Sequence, residues 1–277
     1  MAFRCHGQTT TTGMVERPAA GIVIPLLNQC DTWLRQCVLS ALRQTVQTDV
    51  VVVCSPRTCA ANWGILRALE EQSQHLRACV QEGDGFAAAM NHGFRKSECN
   101  RIGVLLSDDW LRPDTVEKCL ACDSDIISTG LTCFAGNGVH EFESLSSDPR
   151  STVYHSLETL EEKAYYLTHF FLFRAARIVE VGGLDESIGD VPGIDDYDFI
   201  WTLLEHGATV SIIEERLYCY RDHNGERLTL RDPAEQAGNL ARILTKHGIM
   251  PEEQEEIVRR HSAWFGKPLH RVLTDAQ

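Results

Sequence analysis

The chain has 277 residues, with 39 acidic and 26 basic side chains and a formal net charge of −13 at pH 7. This balance argues against a nucleic-acid-binding protein, because a phosphate backbone is bound through a basic face. Apolar residues make up 43% of the sequence, and no stretch approaches the ~20 consecutive apolar residues of a transmembrane helix. We therefore expect a globular, cytoplasmic protein with one large α/β domain or a domain plus an appendage.

The N-terminal segment 1–20 contains a run of Thr and mixed charges but no apolar core. This composition is typical of a disordered tail and not of a secretory signal. Without a signal, the 11 cysteines are expected to be free thiols. Cys119 and Cys122 have no second pair at zinc-finger spacing, so buried thiols are favoured over a metal or redox site.

The first half of the chain alternates short apolar runs with amphipathic segments. The apolar runs predict strands at 21–26, 49–54, 76–80, 102–106 and 125–128. The segments between them have helical spacing, from Trp33 to Leu42 and at 60–72, 86–95 and 113–122. This alternation predicts a parallel, doubly wound sheet whose strands are buried on both faces.

The pattern changes after Ser128. A loop-rich stretch at 136–151 is followed by an aromatic run, Tyr165 to Phe173. We interpret this run as a strand that lines or closes a cleft, with plain core as the more common role for most of its residues. The remaining predicted elements are a helix at 174–181, strands at 209–213 and 216–220, and helices from Asp232 to the end.

Two groups of acids stand out in this arrangement. Asp108 and Asp109 follow the central predicted strand, where an open α/β sheet would bind a divalent cation and a phosphorylated ligand. The alternative is an acidic loop that only caps the next helix. Asp195, Asp196 and Asp198 fall in the first turn of a predicted helix, and they exceed what the helix dipole needs.

These acids, with a late His, suit the transfer of a group from a nucleoside diphosphate. In this hypothesis Asp109, with Asp108 beside it, binds a metal that offsets charge on the leaving diphosphate. Asp196 accepts a proton from the incoming hydroxyl. His223 is a further metal ligand or a phosphate donor, and Arg221 adds positive charge. A late His considered alone more often has a surface or packing role.

Six motifs within residues 20–225 occur in the order and at the spacing of one enzyme family. They are Gly21 to Asn28 with the helix from Trp33 and Gln44-Thr45, Ala89-Met90-Asn91-His92-Gly93, Ser107-Asp108-Asp109-Trp110 with Pro113, Val181-Gly182-Gly183-Leu184-Asp185-Glu186, Asp195-Asp196-Tyr197-Asp198, and Tyr220-Arg221-Asp222-His223. On these motifs the chain resembles the family 2 glycosyltransferases of the GT-A fold.

The resemblance implies a Rossmann-like, doubly wound, mostly parallel sheet with a C-terminal helical extension. It implies a nucleotide-sugar donor, Mn²⁺ or Mg²⁺ bound by Asp109, Asp108 and His223, and inversion at the anomeric carbon with Asp196 as general base. The donor-binding residues it implies are Pro25, Leu27, Asn28, Ser55, Asn91, Asp108 and Arg221. The expected activity is a hexosyltransferase of polysaccharide or glycoconjugate biosynthesis, with a glycan, lipid-linked or small-molecule acceptor.

Three positions depart from the family pattern. Cys54-Ser55 stands where members commonly have Asp-Asp, one of which binds the nucleobase, and Leu27 replaces an aromatic residue. The usual recognition of uracil is therefore not expected, and thymine and guanine are alternatives. Leu106 takes the first position of the Asp-x-Asp motif, which leaves open whether Asp108 or Asp109 touches the metal.

We expect a catalytic domain at 21–228, with a nucleotide-binding half at 21–128 and an acceptor half at 129–228, and a helical extension at 229–277. In the extension, Trp264-Phe265 follows basic residues. This segment either makes a peripheral contact with a membrane or packs on the catalytic domain, which is the more common arrangement.

Two other functions are open at this stage. The altered base pocket favours a catalytically degenerate relative that binds a sugar or a partner protein, whereas the joint presence of Asp108, Asp109, Asp196 and His223 favours an enzyme. A nucleotidyltransferase would have a Gly-rich, basic loop after its first strand, and Pro25 to Gln29 contains neither Gly nor Lys.

Overall fold

The computed structural model describes residues 18–136, 138–141, 148–188, 194–223, 230 and 232–275. The predicted tail therefore lies outside the described residues up to position 17. The strands in these ranges are β1 Ala20–Leu26, β2 Thr48–Cys54, β3 Leu76–Val80, β4 Arg101–Val104, β5 Trp110–Leu111, β6 Ile126–Ala135, β7 Gly138–Glu141, β8 Phe171–Arg174 and β9 Val210–Asp222. They form one sheet in the order β3-β2-β1-β4-β8-β6-β9-β5, with β7 paired to β6.

The α-helices of the described ranges surround this sheet. They are α1 Asp31–Leu42, α2 Ala60–Glu70, α3 Gly85–Lys96, α4 Thr115–Leu120, α5 Arg150–Ser156, α6 Leu160–Tyr166, α7 Ala175–Val181, α8 Asp195–Glu205, α9 Pro233–Lys246, α10 Pro251–His261 and α11 Leu269–Asp275.

Helices cover both faces of the sheet because its strands are apolar on both sides. In β1, Val23 lies in a core that includes residues of α3 and α8, whereas Ile22 and Ile24 lie in a second core with residues of α1 and α2. Gly93 lets α3 lie close to the sheet, since a Cβ there would be 2.3 Å from a Val23 methyl carbon. Strands β1 to β4 pair in parallel. The predicted doubly wound α/β sheet is confirmed.

The second half of the sheet is mixed. β8 lies antiparallel between β4 and β6, and β9 runs parallel to β6 and antiparallel to β5. The strand predicted at 125–128 is longer than expected, because β6 continues to Ala135 along β9 and β7.

Two predictions for this half are wrong in their bounds. The aromatic run Tyr165 to Phe173 is not one strand, because Thr159 and Glu162 form a capping box that starts α6 just before it. The segments 209–213 and 216–220 belong to a single strand, β9. A bulge falls between them, since Thr129 pairs with Ile213 and the next residue of β6 pairs with Arg216.

The C-terminal helix α9 packs against α8 and the sheet. Leu240, Ile243 and Leu244 of α9 lie in the same core as α8, and Lys246 Nζ pairs with the buried Asp198 of α8 at 2.8 Å. Among the residues that the structure describes, no helix is both long enough and apolar enough to cross a bilayer.

The Trp264-Phe265 segment is used within the protein. Phe265 is buried in the core that contains α8 and α9, and the Trp264 indole donates a hydrogen bond to the Tyr165 hydroxyl. This geometry favours packing on the catalytic domain over contact with a membrane.

Candidate active site

Asp109 is a buried carboxylate that connects the turn after β4 to β9. Only 1% of the residue is exposed. Its Oδ2 accepts a hydrogen bond from the Tyr218 hydroxyl at 2.6 Å, and its Oδ1 accepts one from the backbone N–H of Arg221 at 2.6 Å. Burial and the neighbouring Asp108 raise the pKa of Asp109 well above its ordinary value, and these hydrogen bonds only partly offset the shift. Both oxygens are therefore engaged inside the protein.

Asp108 has the more open carboxylate of the pair. Its side chain is 20% exposed, and its Oδ2 lies 3.1 Å from His223 Nε2. Adjacent ligands of an octahedral ion with bonds of ~2.1 Å lie about 3 Å apart, so the two side chains fit a divalent cation. The described ranges contain no group of three or more His, Cys, Asp or Glu side chains arranged around a metal. A cation here would take its other ligands from phosphate or water, as Mg²⁺ usually does.

Arg221 is held at this edge by aromatic side chains. Its guanidinium carbon lies 4.9 Å from the ring centre of Trp33 and 4.6 Å from that of Trp110. Its Nη2 donates to Gln36 Oε1 at 2.6 Å, and its Nε donates to the backbone oxygen of Asp108 at 2.9 Å. Burial lowers the pKa of Arg221, while the two nearby carboxylates raise it. The positively charged guanidinium of Arg221 is thus held in place beside Asp108 and Asp109.

Asp196 is the accessible acid of the second group. Its side chain is 41% exposed, whereas Asp195 and Asp198 are buried. Asp196 Oδ1 accepts a hydrogen bond from the backbone N–H of Tyr197 at 2.9 Å, and Oδ2 lies 3.1 Å from His169 Nε2. Asp198 instead pairs with Lys246 at the end of α9 and with His247, the next residue.

Two rings connect the two acidic groups. The imidazole of His169, bonded to Asp196, stacks on the ring of Tyr218 with centroids 5.5 Å apart and planes 28° apart. The hydroxyl of the same Tyr218 donates to Asp109. Carboxylates that are distant in sequence are therefore brought to one region of the sheet.

The loops after β1 and β2 lie against each other at the predicted nucleotide site. Asn28 Oδ1 accepts a hydrogen bond from the Cys59 backbone at 2.8 Å, and Asn28 Nδ2 donates to the Arg57 carbonyl at 3.3 Å. Ser55 is 8% exposed, and its Oγ accepts from the Arg57 backbone at 3.2 Å. Leu27 is 44% exposed beside them. Pro25 lies within β1, opposite Val53 of β2, so it supports this loop from inside the sheet.

Asn91, also predicted to bind the donor, is engaged elsewhere in the structure. It is buried on α3, where Nδ2 donates to Leu184 O at 2.9 Å and to Glu186 Oε1 at 2.8 Å, and Oδ1 accepts from Leu184 N at 2.8 Å. A Cβ on Gly183 would come within 2.2 Å of Asn91 Oδ1. Asn91 therefore holds the segment after α7, and its contact with a donor stays a prediction.

Sequence reasoning missed several side chains of this site. The helical pattern explains Trp33 as a core residue, but its ring lies 4.7 Å from that of His223 as well as against Arg221. His169 falls in the run predicted to line or close a cleft, and Tyr218 falls in a predicted strand, but neither residue is singled out by the sequence. The sequence does offer one signal for these two residues. Each is a ring with a polar group inside an apolar run, and such a group usually needs a hydrogen-bond partner when it is buried.

The family model described as glycosyl transferase family 2 matches residues 21–182, which is more than half of the chain. The chain belongs to glycosyl transferase family 2. This family 2 chain is 28% identical to the chondroitin synthase of Escherichia coli over 230 residues, which are 83% of the chain and 32% of that protein. It is 27% identical over 271 residues to glycosyltransferase GlyA of Streptococcus pneumoniae serotype 4, covering 91% of the chain and 36% of the relative. The chain thus spans about a third of the length of these two relatives.

Solved structures share the architecture of this family 2 chain. S. aureus TarS, residues 1–349 in complex with UDP-GlcNAc, matches with a TM-score of 0.65 at 14% identity, over 89% of this chain and 73% of that one. The mannosyltransferase PcManGT of Pyrobaculum calidifontis, in complex with GDP-Man and Mn²⁺, matches with a TM-score of 0.61 at 16% identity, over 95% of this chain and 74% of that one. The predicted GT-A fold is confirmed.

Proposed function

We propose that this family 2 glycosyltransferase transfers a hexosyl group from a nucleoside diphosphate to an acceptor hydroxyl, with inversion and with help from a divalent metal. The observation that carries the proposal is the connection between the two acidic groups. Asp196 is bonded to His169, the His169 ring stacks on Tyr218, and the Tyr218 hydroxyl donates to Asp109, which adjoins Asp108. The complexes of TarS with UDP-GlcNAc and of PcManGT with GDP-Man support a nucleotide-sugar donor.

In this proposal Asp108 and His223 hold the cation, and Asp109 does not. Asp109 has both oxygens bonded inside the protein, whereas Asp108 and His223 face each other at a distance that suits two ligands of one ion. The Mn²⁺ in the PcManGT complex supports a metal at such a site. A bound Mn²⁺ or Mg²⁺ would offset negative charge on the leaving diphosphate. Arg221, fixed between two indole rings, adds positive charge on the same side.

Asp196 is the proposed general base. Its carboxylate accepts the proton of the acceptor hydroxyl while the hydroxyl oxygen forms a bond to the anomeric carbon and the bond from that carbon to the diphosphate oxygen breaks. Attack on the face opposite the leaving group inverts the configuration. The exposure of the Asp196 side chain, 41%, leaves room for a hydroxyl to approach.

The loops after β1 and β2 are the proposed nucleotide site. Asn28 joins these loops through backbone groups of Cys59 and Arg57, and Ser55 Oγ stabilises the second loop by accepting from the Arg57 N–H. The exposed Leu27 offers an apolar surface to a base. Because position 55 is Ser and not Asp, this pocket would bind the base through hydroxyl and backbone groups. The identity of the base is therefore best obtained from a panel of donors.

Residues 21–228 are the proposed catalytic domain and 229–277 its helical extension. The curated relatives include chondroitin synthase of Escherichia coli and the O-antigen biosynthesis protein RfbC of Myxococcus xanthus. These names support a role in polysaccharide or glycoconjugate biosynthesis. The proposed acceptor is a glycan, a lipid-linked molecule or a small molecule.

The proposal is tested with a panel of UDP-, GDP- and dTDP-hexoses in the presence of Mn²⁺. The quantity measured is the nucleoside diphosphate released when the sugar is transferred to water or to an added acceptor. We expect release with one base and loss of release on chelation, with proton NMR showing a first product of inverted configuration. Asp196→Asn should bind the nucleoside diphosphate but release none from the sugar. Full turnover by Asp196→Asn, or turnover that is indifferent to chelator, would contradict the proposal.

A further inference from the structure

His169 is a polar side chain that none of the family motifs includes, yet it lies directly behind the accessible carboxylate of Asp196. Its Nε2 is 3.1 Å from Asp196 Oδ2. Its ring packs between Tyr218, at 5.5 Å, and Phe171, at 4.8 Å between centroids. The imidazole is therefore held in one orientation by aromatic rings on two strands, β8 and β9.

The surroundings of the ring decide which nitrogen carries the proton. His169 Nδ1 is buried and has no hydrogen-bond partner among the described residues. A proton on Nδ1 would be a buried donor without an acceptor, which is unfavourable. A proton on Nε2 instead points at the carboxylate oxygen of Asp196, so the hydrogen-bond network assigns Nε2 as the nitrogen that donates to Asp196.

Few charged groups face this imidazole. Asp196 approaches it from α8, and the Tyr218 hydroxyl of β9 is itself directed to Asp109. Arg150 of α5 is bonded to the residue before His169, because its Nη2 donates to Thr168 Oγ1 at 2.8 Å. The direct ionic partner of His169 in the described ranges is thus Asp196.

We propose that His169 is the positioning residue of the general base, an inference that rests on the proposed function of Asp196. The Nε2–H bond holds one oxygen of the Asp196 carboxylate, and the backbone N–H of Tyr197 holds the other. Each oxygen keeps a lone pair for the acceptor hydroxyl.

The test compares His169→Met with His169→Gln. The two replacements have similar length, but only Gln retains an N–H donor close to the position of Nε2. We expect His169→Met to lower kcat for donor hydrolysis by about 10- to 100-fold, the effect of losing one hydrogen bond to a charged group. The KM for the donor and the calorimetric affinity for nucleoside diphosphate with Mn²⁺ should be unchanged. His169→Gln should restore most of kcat.

The donor probes are UDP-GlcNAc and GDP-mannose, followed by the best member of the panel. Equal loss in both variants, or wild-type kcat in His169→Met, would overturn the inference. If His169→Met fails to bind nucleoside diphosphate, His169→Gln decides alone, because a kcat lowered by about 10-fold or more in this donor-retaining variant would overturn the inference. Activity of Asp196→Asn separates the two failures. An active Asp196→Asn rejects the base itself, whereas an inactive Asp196→Asn with unaffected His169 variants rejects only the role of His169.

Discussion

The hydroxyl of Tyr218 donates to the buried carboxylate of Asp109 at 2.6 Å, and this bond helps to join the turn after β4 to strand β9. Tyr218 is fully buried, and burial together with the charge of Asp109 raises its pKa well above the ordinary value. The backbone N–H of Arg221 completes the shell of Asp109. Asp109 therefore fixes where β9 ends, and with it the positions of Arg221 and His223.

Asp108→Ala and Asp109→Ala should fail in different ways. Asp108→Ala removes the open carboxylate, so Mn²⁺ should no longer strengthen the binding of nucleoside diphosphate, with little change in stability. Asp109→Ala leaves the Tyr218 hydroxyl and the Arg221 N–H without an acceptor, and should lower the free energy of unfolding by about 1–3 kcal/mol for each group. Calorimetry with and without Mn²⁺, beside urea unfolding, separates the two. A metal effect lost only in Asp109→Ala would contradict the assignment.

Tyr218→Phe should destabilise the protein while leaving its ring contacts. The variant keeps the stack on His169 but removes a donor from a buried carboxylate, which costs about 1–3 kcal/mol. Chemical denaturation followed by circular dichroism measures this loss. An unchanged midpoint would mean that the bond between Tyr218 and Asp109 does not contribute to the fold.

Arg221→Lys keeps the charge but loses the planar group between Trp33 and Trp110. A cation–π contact contributes about 0.5–2 kcal/mol, so we expect donor binding to weaken by about 2- to 30-fold. The exposed Arg112 offers the matched control Arg112→Lys, which should bind like wild type in calorimetry. Equal affinities for the two variants would show that the stacked guanidinium is not needed.

Acid should destabilise the protein through Glu161. This side chain accepts hydrogen bonds from the Tyr197 hydroxyl at 2.8 Å and from His261 at 3.0 Å, and it pairs with Arg260. Burial raises the pKa of Glu161, but these bonds and the charge of Arg260 outweigh it, and the net pKa is lowered from 4.5. Because the folded state binds this proton more weakly than the unfolded chain, the contribution is present above pH 4.5 and is lost as pH falls below it.

Unfolding free energies measured between pH 6 and pH 2 should therefore fall less steeply below about pH 4.5 in Glu161→Gln than in wild type. Asp185 supplies the control. Burial raises the pKa of Asp185, but bonds to Ser187 and Lys246 outweigh it and lower the pKa from 3.8 to about 2. The loss through Asp185 thus lies at lower pH, and Asp185→Asn should keep the wild-type slope near pH 4.5. Identical slopes in Glu161→Gln and wild type would reject the role of Glu161.

The sequence predicts the N-terminal half of the fold well because its strands are buried on both faces. Runs such as Val50 to Val53 are apolar at every position because both faces of the strand are buried. Their length and composition are therefore enough to identify them as strands. The mixed half follows this rule less closely. The aromatic run at 165–173 divides between α6 and β8 because a capping box at Thr159 starts a helix, which outweighs the β-propensity of the aromatic residues.

The sequence predicts which acids belong to the candidate site, but it does not predict which contacts each of them makes. Asp108 and Asp109 are alike as neighbouring carboxylates, and only the pairing of β5 with β9, about a hundred residues later, decides which one is buried. The place of Asp196 in the first turn of α8 was readable from helical spacing. The position of His169 could not be predicted in this way. Its proposed role depends on a contact between the segment before β8 and the first turn of α8, and no local pattern encodes that contact.

The most direct test of the central claim is the anomalous diffraction signal of Mn²⁺ in crystals grown with nucleoside diphosphate. We predict a peak bonded to an Asp108 carboxylate oxygen and His223 Nε2, with the diphosphate on its open side and the Asp196 carboxylate facing the sugar-binding space beyond. A peak bonded to Asp109, or a diphosphate placed on a surface that Asp196 does not face, would contradict the account.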